Sequence, residues 1–117
     1  MLGGTQFVGP AIVDGALARG WDVTVANRGL SGSPAPGARH FLVDRTIEGA
    51  LAELAAASYD AVFDLWSGAP AVMTANARVL RAATQHWSYV SSRSVYAWPL
   101  ARSLDESGRV DPRPSRG

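Results

Sequence analysis

The sequence predicts an α/β fold: a doubly wound parallel sheet of about five strands with helices on its faces. Three observations predict it. The first nine residues, Met1-Leu2-Gly3-Gly4-Thr5-Gln6-Phe7-Val8-Gly9, run from an apolar pair into a turn with glycines at 3, 4 and 9. Beyond them, short apolar runs alternate with segments of helical periodicity, which implies parallel strands joined by crossover helices. No internal repeat or second domain interrupts that alternation within 117 residues, a length that suits one domain.

The glycine turn reads as the passage from a buried strand into a helix that receives a dinucleotide pyrophosphate. One glycine serves a tight turn with positive φ, one lets the backbone approach phosphate, and one lets helix and strand pack closely. The first amides of the helix point at the anion, where the helix dipole favours negative charge. Residues 7–19 follow as that helix, with Val8, Ala11, Ile12, Gly15 and Ala16 along one side. Pro10 sits in its first turn, where a missing N–H costs little, and Gly20 is a natural C-cap. Residues 21–26 read as a short strand, interrupted by Asp22 and Thr24 and ended by Asn27-Arg28-Gly29.

Residues 30–38 hold two Pro, two Gly and two Ser, the composition of a loop. A brief strand at 39–43 closes on Asp44-Arg45. Ile47, Ala50, Leu51 and Leu54 recur at helical spacing and predict a helix over 46–57. A fourth strand at 60–65 ends in Trp66-Ser67-Gly68, and Pro70 opens another helix. That helix carries Met73, Ala77 and Leu80 on one stripe, with Val72, Asn76, Val79 and Ala83 beside it. Residues 87–91 form the fifth strand. From residue 98 the chain turns polar and Pro-rich without periodicity, so 1–97 is the domain and 98–117 a tail, loop or disordered.

Composition excludes several classes. A formal net charge of +1 with 18% charged residues makes no electrostatic case for nucleic acid or an anionic membrane. There is no Cys, and His40 and His86 are too isolated for a metal site, so no metal is expected. No apolar stretch approaches the ~18 residues of a membrane span, and no signal-peptide pattern opens the chain. The expected location is cytoplasmic. All eleven positive charges are Arg; Lys is absent.

Four motifs in order carry a resemblance. They are the turn 2–9, Asn27-Arg28-Gly29, Asp44-Arg45, and Ser91-Ser92-Arg93-Ser94-Val95-Tyr96 after the fifth strand. Together they resemble the NAD-dependent epimerase/dehydratase family, the extended short-chain dehydrogenase/reductases, with a divergent reductase branch closest. The similarity spans residues 1–111. It implies a Rossmann-like NAD(P)-binding domain of an oxidoreductase, epimerase or dehydratase acting on a nucleotide sugar or related small carbonyl compound.

The resemblance carries over residue by residue. Gly3 and Gly9 match the outer glycines of the family turn, Gln6 stands where the middle glycine belongs, and Gly4, Thr5, Phe7 and Val8 complete it. An Asp at the end of the second strand favours NAD in the family. Here Asn27 and Arg28 replace that anion with a guanidinium, which implies NADP in preference to NAD; the alternative for Arg28 is a solvated loop charge. Asp44, with Arg45 beside it, matches the adenine contact, or else caps the following turn. Leu65, Trp66 and Ser67 fall at the nicotinamide-side wall, where Trp66 is equally readable as apolar cover. Ser92 matches the active-site Ser/Thr, whose implied role is to hydrogen-bond the substrate oxygen. The plain alternative is that Ser91, Ser92 and Ser94 satisfy backbone groups at a strand end.

Two family features are missing. The acid–base Tyr-x-x-x-Lys dyad cannot occur in a chain without Lys, and Tyr96 is followed four residues later by Leu100. Before the glycines only Met1 and Leu2 remain of a strand that typically runs ~5–6 residues. The expectation is a cofactor-binding part truncated at both ends and inactive alone, taking a small-molecule substrate only when a C-terminal part is supplied. The alternative is a non-catalytic NAD(P)-binding sensor or interaction module. RNA binding, known in the wider family, is argued against by the neutral charge.

Overall fold

The computed structural model describes residues 1–92, 95, 96, 105 and 107–110. Most of the tail expected at 98–117 therefore lies outside the described residues, as do Arg93 and Ser94. The elements run α1 (Gly9–Ala18), β1 (Thr24–Asn27), β2 (Arg39–Leu42), α2 (Ala52–Ala55), β3 (Val62–Asp64), α3 (Pro70–Leu80) and β4 (Trp87–Tyr89). The chain is a small α/β domain built on short parallel strands.

β1 pairs in parallel with β2, Thr24 opposite Arg39, and β3 pairs in parallel with β4, Val62 opposite Trp87. Leu2 joins the two pairs, forming a parallel bridge to Ala26 on one side and to Asp64 on the other. On the first side the Gly3 N–H donates to Ala26 O at 2.9 Å and the Ala26 N–H to Met1 O at 2.8 Å. On the second, the Leu2 N–H donates to Phe63 O at 2.8 Å and the Leu65 N–H to Leu2 O at 3.2 Å. Across the molecule the order is β2, β1, Leu2, β3, β4. Five strands are expected from the sequence; the described residues form four, and the segment before the glycines contributes one bridging residue.

The strands are shorter than their apolar runs. β1 begins only at Thr24 because the Trp21 N–H is used in closing α1, on Ala16 O at 3.1 Å, and Asp22 is turned out to an exposed ion pair with Arg39 at 2.5 Å. The helix expected over 46–57 contracts to the four residues of α2. Gly49 has φ +76°, a left-handed conformation that interrupts a right-handed helix. The amides of Ile47, Ala50 and Ala52 each bond three residues back, so this stretch is a chain of tight turns. α1 starts at Gly9 rather than at residue 7, since Phe7 itself has φ +53°.

Neighbouring residues of β1 point to opposite faces and found two cores. Val25 packs with Val13 of α1 and with Val23. Ala26 joins Leu2, Leu51, Leu54, Val62 and Leu80, which bring in the segment around α2 and the end of α3. Helices thus cover both faces, and the ends of the strands are left to the site.

Candidate functional site

A crevice of about 1060 Å³ opens along the C-terminal ends of the strands. Each strand contributes the residues that follow it. These are residues 3–8 after Leu2, 27–31 at the end of β1, 43–46 after β2, 65–68 after β3 and 90–92 after β4. Open parallel sheets bind ligands at this edge.

The glycine turn forms the floor. Gly9 is buried directly against Gly4: a Cβ on Gly9 would lie 2.5 Å from Gly4 Cα and 2.8 Å from Gly4 C, so only glycine fits. Gly4 has φ +108°, and a Cβ there would meet Met1 Cγ at 2.6 Å. This interlock sets the start of α1 against the strand. α1 has no side-chain cap and no acidic residue in its first turn. The Gly9 N–H donates to Gln6 O at 3.0 Å and Pro10 has no N–H, so the helix dipole, more than a set of open amides, is what the turn offers an anion from outside the helix.

Asn27 ties the floor to its neighbours. Its Nδ2 donates to Thr5 Oγ1 at 3.3 Å, and its Oδ1 accepts from Gly29 N–H at 2.9 Å and from His40 Nε2 at 2.7 Å. Arg28, next in sequence, is exposed at the crevice and enters no ion pair among the described residues. Asp44 Oδ1 accepts from the Thr46 hydroxyl at 2.6 Å and the Thr46 N–H at 2.9 Å, a local cap on the following turn. The Thr46 hydroxyl, then its amide, hold the Asp44 carboxyl below its ordinary range, and the Arg28 charge adds in the same direction.

Arg45 is committed inward. Its Nη1 and Nη2 donate to Asp64 Oδ1 and Oδ2 at 2.6 and 2.8 Å, and its Nε donates to Asn76 Oδ1 at 2.6 Å. Asn76 Nδ2 returns a bond to Arg45 O at 3.2 Å. Asp64 is fully buried, and its Oδ1 also accepts the Trp66 N–H at 3.0 Å. The guanidinium lies over the Trp66 ring, 5.1 Å from its centroid. Trp66 Nε1 donates to Ala69 O at 2.8 Å, and the Tyr89 hydroxyl donates to Trp66 O at 2.7 Å. Trp66 is thus fixed on four sides as a wall, with Leu65 and Ser67 beside it. Ser92 is exposed at the end of the crevice, and its carbonyl accepts the Val95 N–H at 3.2 Å.

The crevice therefore brings together Gly3, Gly4, Thr5, Gln6, Phe7, Val8, Asn27, Arg28, Asp44, Arg45, Leu65, Trp66, Ser67 and Ser92. Gly9 lies beneath it. Sequence reasoning missed Asp64 and Asn76, which hold Arg45. The signals were present: a carboxylate inside the apolar run Ala61-Val62-Phe63-Asp64-Leu65, and an amide within an otherwise apolar helix stripe. Tyr89, Leu30 and Ser31 also line the crevice without having been singled out.

No protein-family model matches the chain, and no curated protein matches it either. Among the described residues, no group of three or more His, Cys, Asp or Glu is gathered to hold a metal, and no helix is long and apolar enough to cross a membrane.

Proposed function

We propose that this chain is the NAD(P)-binding part of an oxidoreductase of the epimerase/dehydratase/reductase type, with a Rossmann-like doubly wound arrangement. One observation carries the reading. The Gly4–Gly9 interlock opens an uncapped helix onto a crevice at the strand C-termini. That cradle suits a pyrophosphate, because a Cβ at either position would fill the space the turn needs and the positive end of the helix dipole favours an anion there. Gly3, Gly4, Thr5, Gln6, Phe7 and Val8 form the turn on which the phosphates lie. Asn27 and Arg28 face the adenosine ribose, Asp44 the adenine, and Leu65, Trp66 and Ser67 the nicotinamide.

The cofactor, when bound, supplies hydride transfer to or from a carbon of the substrate. The chain's own residues bind, orient and exclude water. Ser92 donates a hydrogen bond to the substrate oxygen. Trp66 gives a stiff wall, since the guanidinium of Arg45 and three hydrogen bonds hold it. Arg28 pairs with a 2′-phosphate, which makes NADP the preferred cofactor over NAD. The absence of Lys removes the family's Tyr-x-x-x-Lys dyad. It favours a second reading for these residues by themselves: binding without turnover, as a sensor or interaction module. The partner in both readings is a dinucleotide, with neither nucleic acid nor membrane involved, in a cytoplasmic protein.

Calorimetric titration of the chain with NADPH and NADH tests the reading. Saturable binding of one dinucleotide per chain, tighter for NADPH, supports it; heats indistinguishable from dilution for both reject it.

A further inference from the structure

Tyr89 lines the crevice at the end of β4, 44% exposed, and the proposed function leaves its chemistry unused. Its backbone is pinned. Tyr89 stands opposite Asp64 in the parallel pair, and the next amide, Val90 N–H, donates to Asp64 O at 2.9 Å. Its hydroxyl is placed as well, donating to Trp66 O at 2.7 Å in the wall after β3. A phenol is thus held at the wall by a strand rather than by a loop.

The side chains that serve most often as general acids are His, Asp, Glu, Lys, Tyr and Cys. Of these types, the described residues that line the crevice include Asp44 and Tyr89 alone. Asp44 is unsuited on two counts. Thr46 stabilises its charged form, and it follows β2, with β1 and Leu2 between it and the wall. Arg28 and Arg45 do not give up a proton in a protein. Tyr89 remains, beside Trp66 and on the same strand end as Ser91 and Ser92.

We propose that Tyr89 is the proton donor of this site, its hydroxyl giving a proton to the carbonyl oxygen of the substrate. This rests on the oxidoreductase reading above and departs from the binding-only one. Reduction of a carbonyl by a reduced nicotinamide forms a C–H bond on the carbon and leaves the former π pair on the oxygen. The Tyr89 O–H bond breaks as a new O–H forms on that oxygen, giving an alcohol and a phenolate. The exposed ring lets water return the proton to the phenolate. Rotation about the Cζ–O bond turns the hydroxyl proton from Trp66 O to the substrate while the ring stays in place.

The test uses the full chain, NADPH and benzaldehyde as a small carbonyl probe. Tyr89→Phe removes the hydroxyl and keeps the ring. It is expected to bind NADPH within about threefold of the unsubstituted chain, since an exposed hydrogen bond contributes little. Its NADPH consumption is expected to fall about 10²-fold or more, the usual worth of a positioned acid. A second readout needs no turnover: the Cζ resonance of Tyr89 in carbon-labelled tyrosine, identified by its loss in Tyr89→Phe. With oxidised NADP and benzaldehyde together it is expected to shift as the hydroxyl leaves Trp66 O, and with oxidised NADP alone to stay in place. Turnover by Tyr89→Phe close to that of the unsubstituted chain overturns the inference, as does an unmoved Tyr89 resonance in the three-part mixture. A fall in NADPH affinity as large as the fall in turnover also overturns it, because the hydroxyl would then serve the fold or the cofactor pocket. NADPH binding without any turnover by the unsubstituted chain overturns it too, and leaves the cofactor reading standing. If the unsubstituted chain binds neither NADPH nor NADH, the cofactor reading fails and this inference with it.

Discussion

Arg45 grips Asp64 with both terminal nitrogens of its guanidinium, at 2.6 and 2.8 Å, in a pair where Asp64 is fully buried and the Arg45 side chain is 10% exposed. Nineteen positions apart in sequence, the two join the loop after β2 to the end of β3. Removing one partner strands the other charge in the interior. Arg45→Ala or Asp64→Ala is expected to lower the unfolding free energy by about 3–5 kcal/mol, read from urea denaturation. The double variant Arg45→Met with Asp64→Leu is expected to recover most of that loss, because apolar residues of similar size carry no desolvation cost. A double variant no more stable than the worse single one would mean that the pair does more than neutralise itself.

Gly9→Ala is expected to be severe for its size. The added methyl meets Gly4 Cα at 2.5 Å, backbone that cannot swing aside as a side chain would. Overpacking of this kind costs about 1–3 kcal/mol, and it displaces α1 from the strand, so dinucleotide binding should vanish even where the chain remains folded. Near-native affinity in a folded Gly9→Ala chain would show that the interlock is not the phosphate floor.

Arg28→Ala addresses cofactor choice. A charge-assisted contact contributes about 1.5–3 kcal/mol, so NADPH affinity should fall tenfold or more while NADH changes little. Equal losses for both would mean that Arg28 does not read a 2′-phosphate.

Asp44 gives a pH-dependent signature. Its carboxyl titrates below the ordinary 3.8 because Thr46 donates to the charged form. A carboxylate depressed on folding adds stability above its unfolded pKa, and that share is lost as pH falls through the folded value. Thr46→Val removes the hydroxyl, the largest cause, so the Asp44 titration followed by carboxyl-carbon NMR should move up towards 3.8. No movement would place the cause elsewhere.

The strand–helix alternation and the crevice segments were legible because each rests on local sequence: apolar runs, a glycine turn, and polar residues where runs end. What was not legible depends on partners distant in the chain. The apolar spacing of Ile47, Ala50, Leu51 and Leu54 is that of a helix, yet Gly49 takes φ +76° and Asp44 caps a turn, leaving four helical residues. Arg45 reads in sequence as a charge beside a ligand contact. Only the fold brings Asp64 and Asn76 to it, 19 and 31 positions away. Asn27 likewise reads as a ribose neighbour, while its side chain is occupied by Thr5, Gly29 and His40.

The central claim is that a dinucleotide lies along the strand C-termini with its phosphates on the glycine turn. Backbone amide chemical-shift mapping of the labelled chain during NADPH titration tests it most directly. The account predicts saturable shifts concentrated at residues 3–9, 27–31, 44–46 and 65–68, with the largest at Gly4, Val8 and Gly9, and little change along α2 and the exposed face of α3. Shifts clustered away from the strand C-termini, or no shifts at saturating NADPH and NADH, would contradict it.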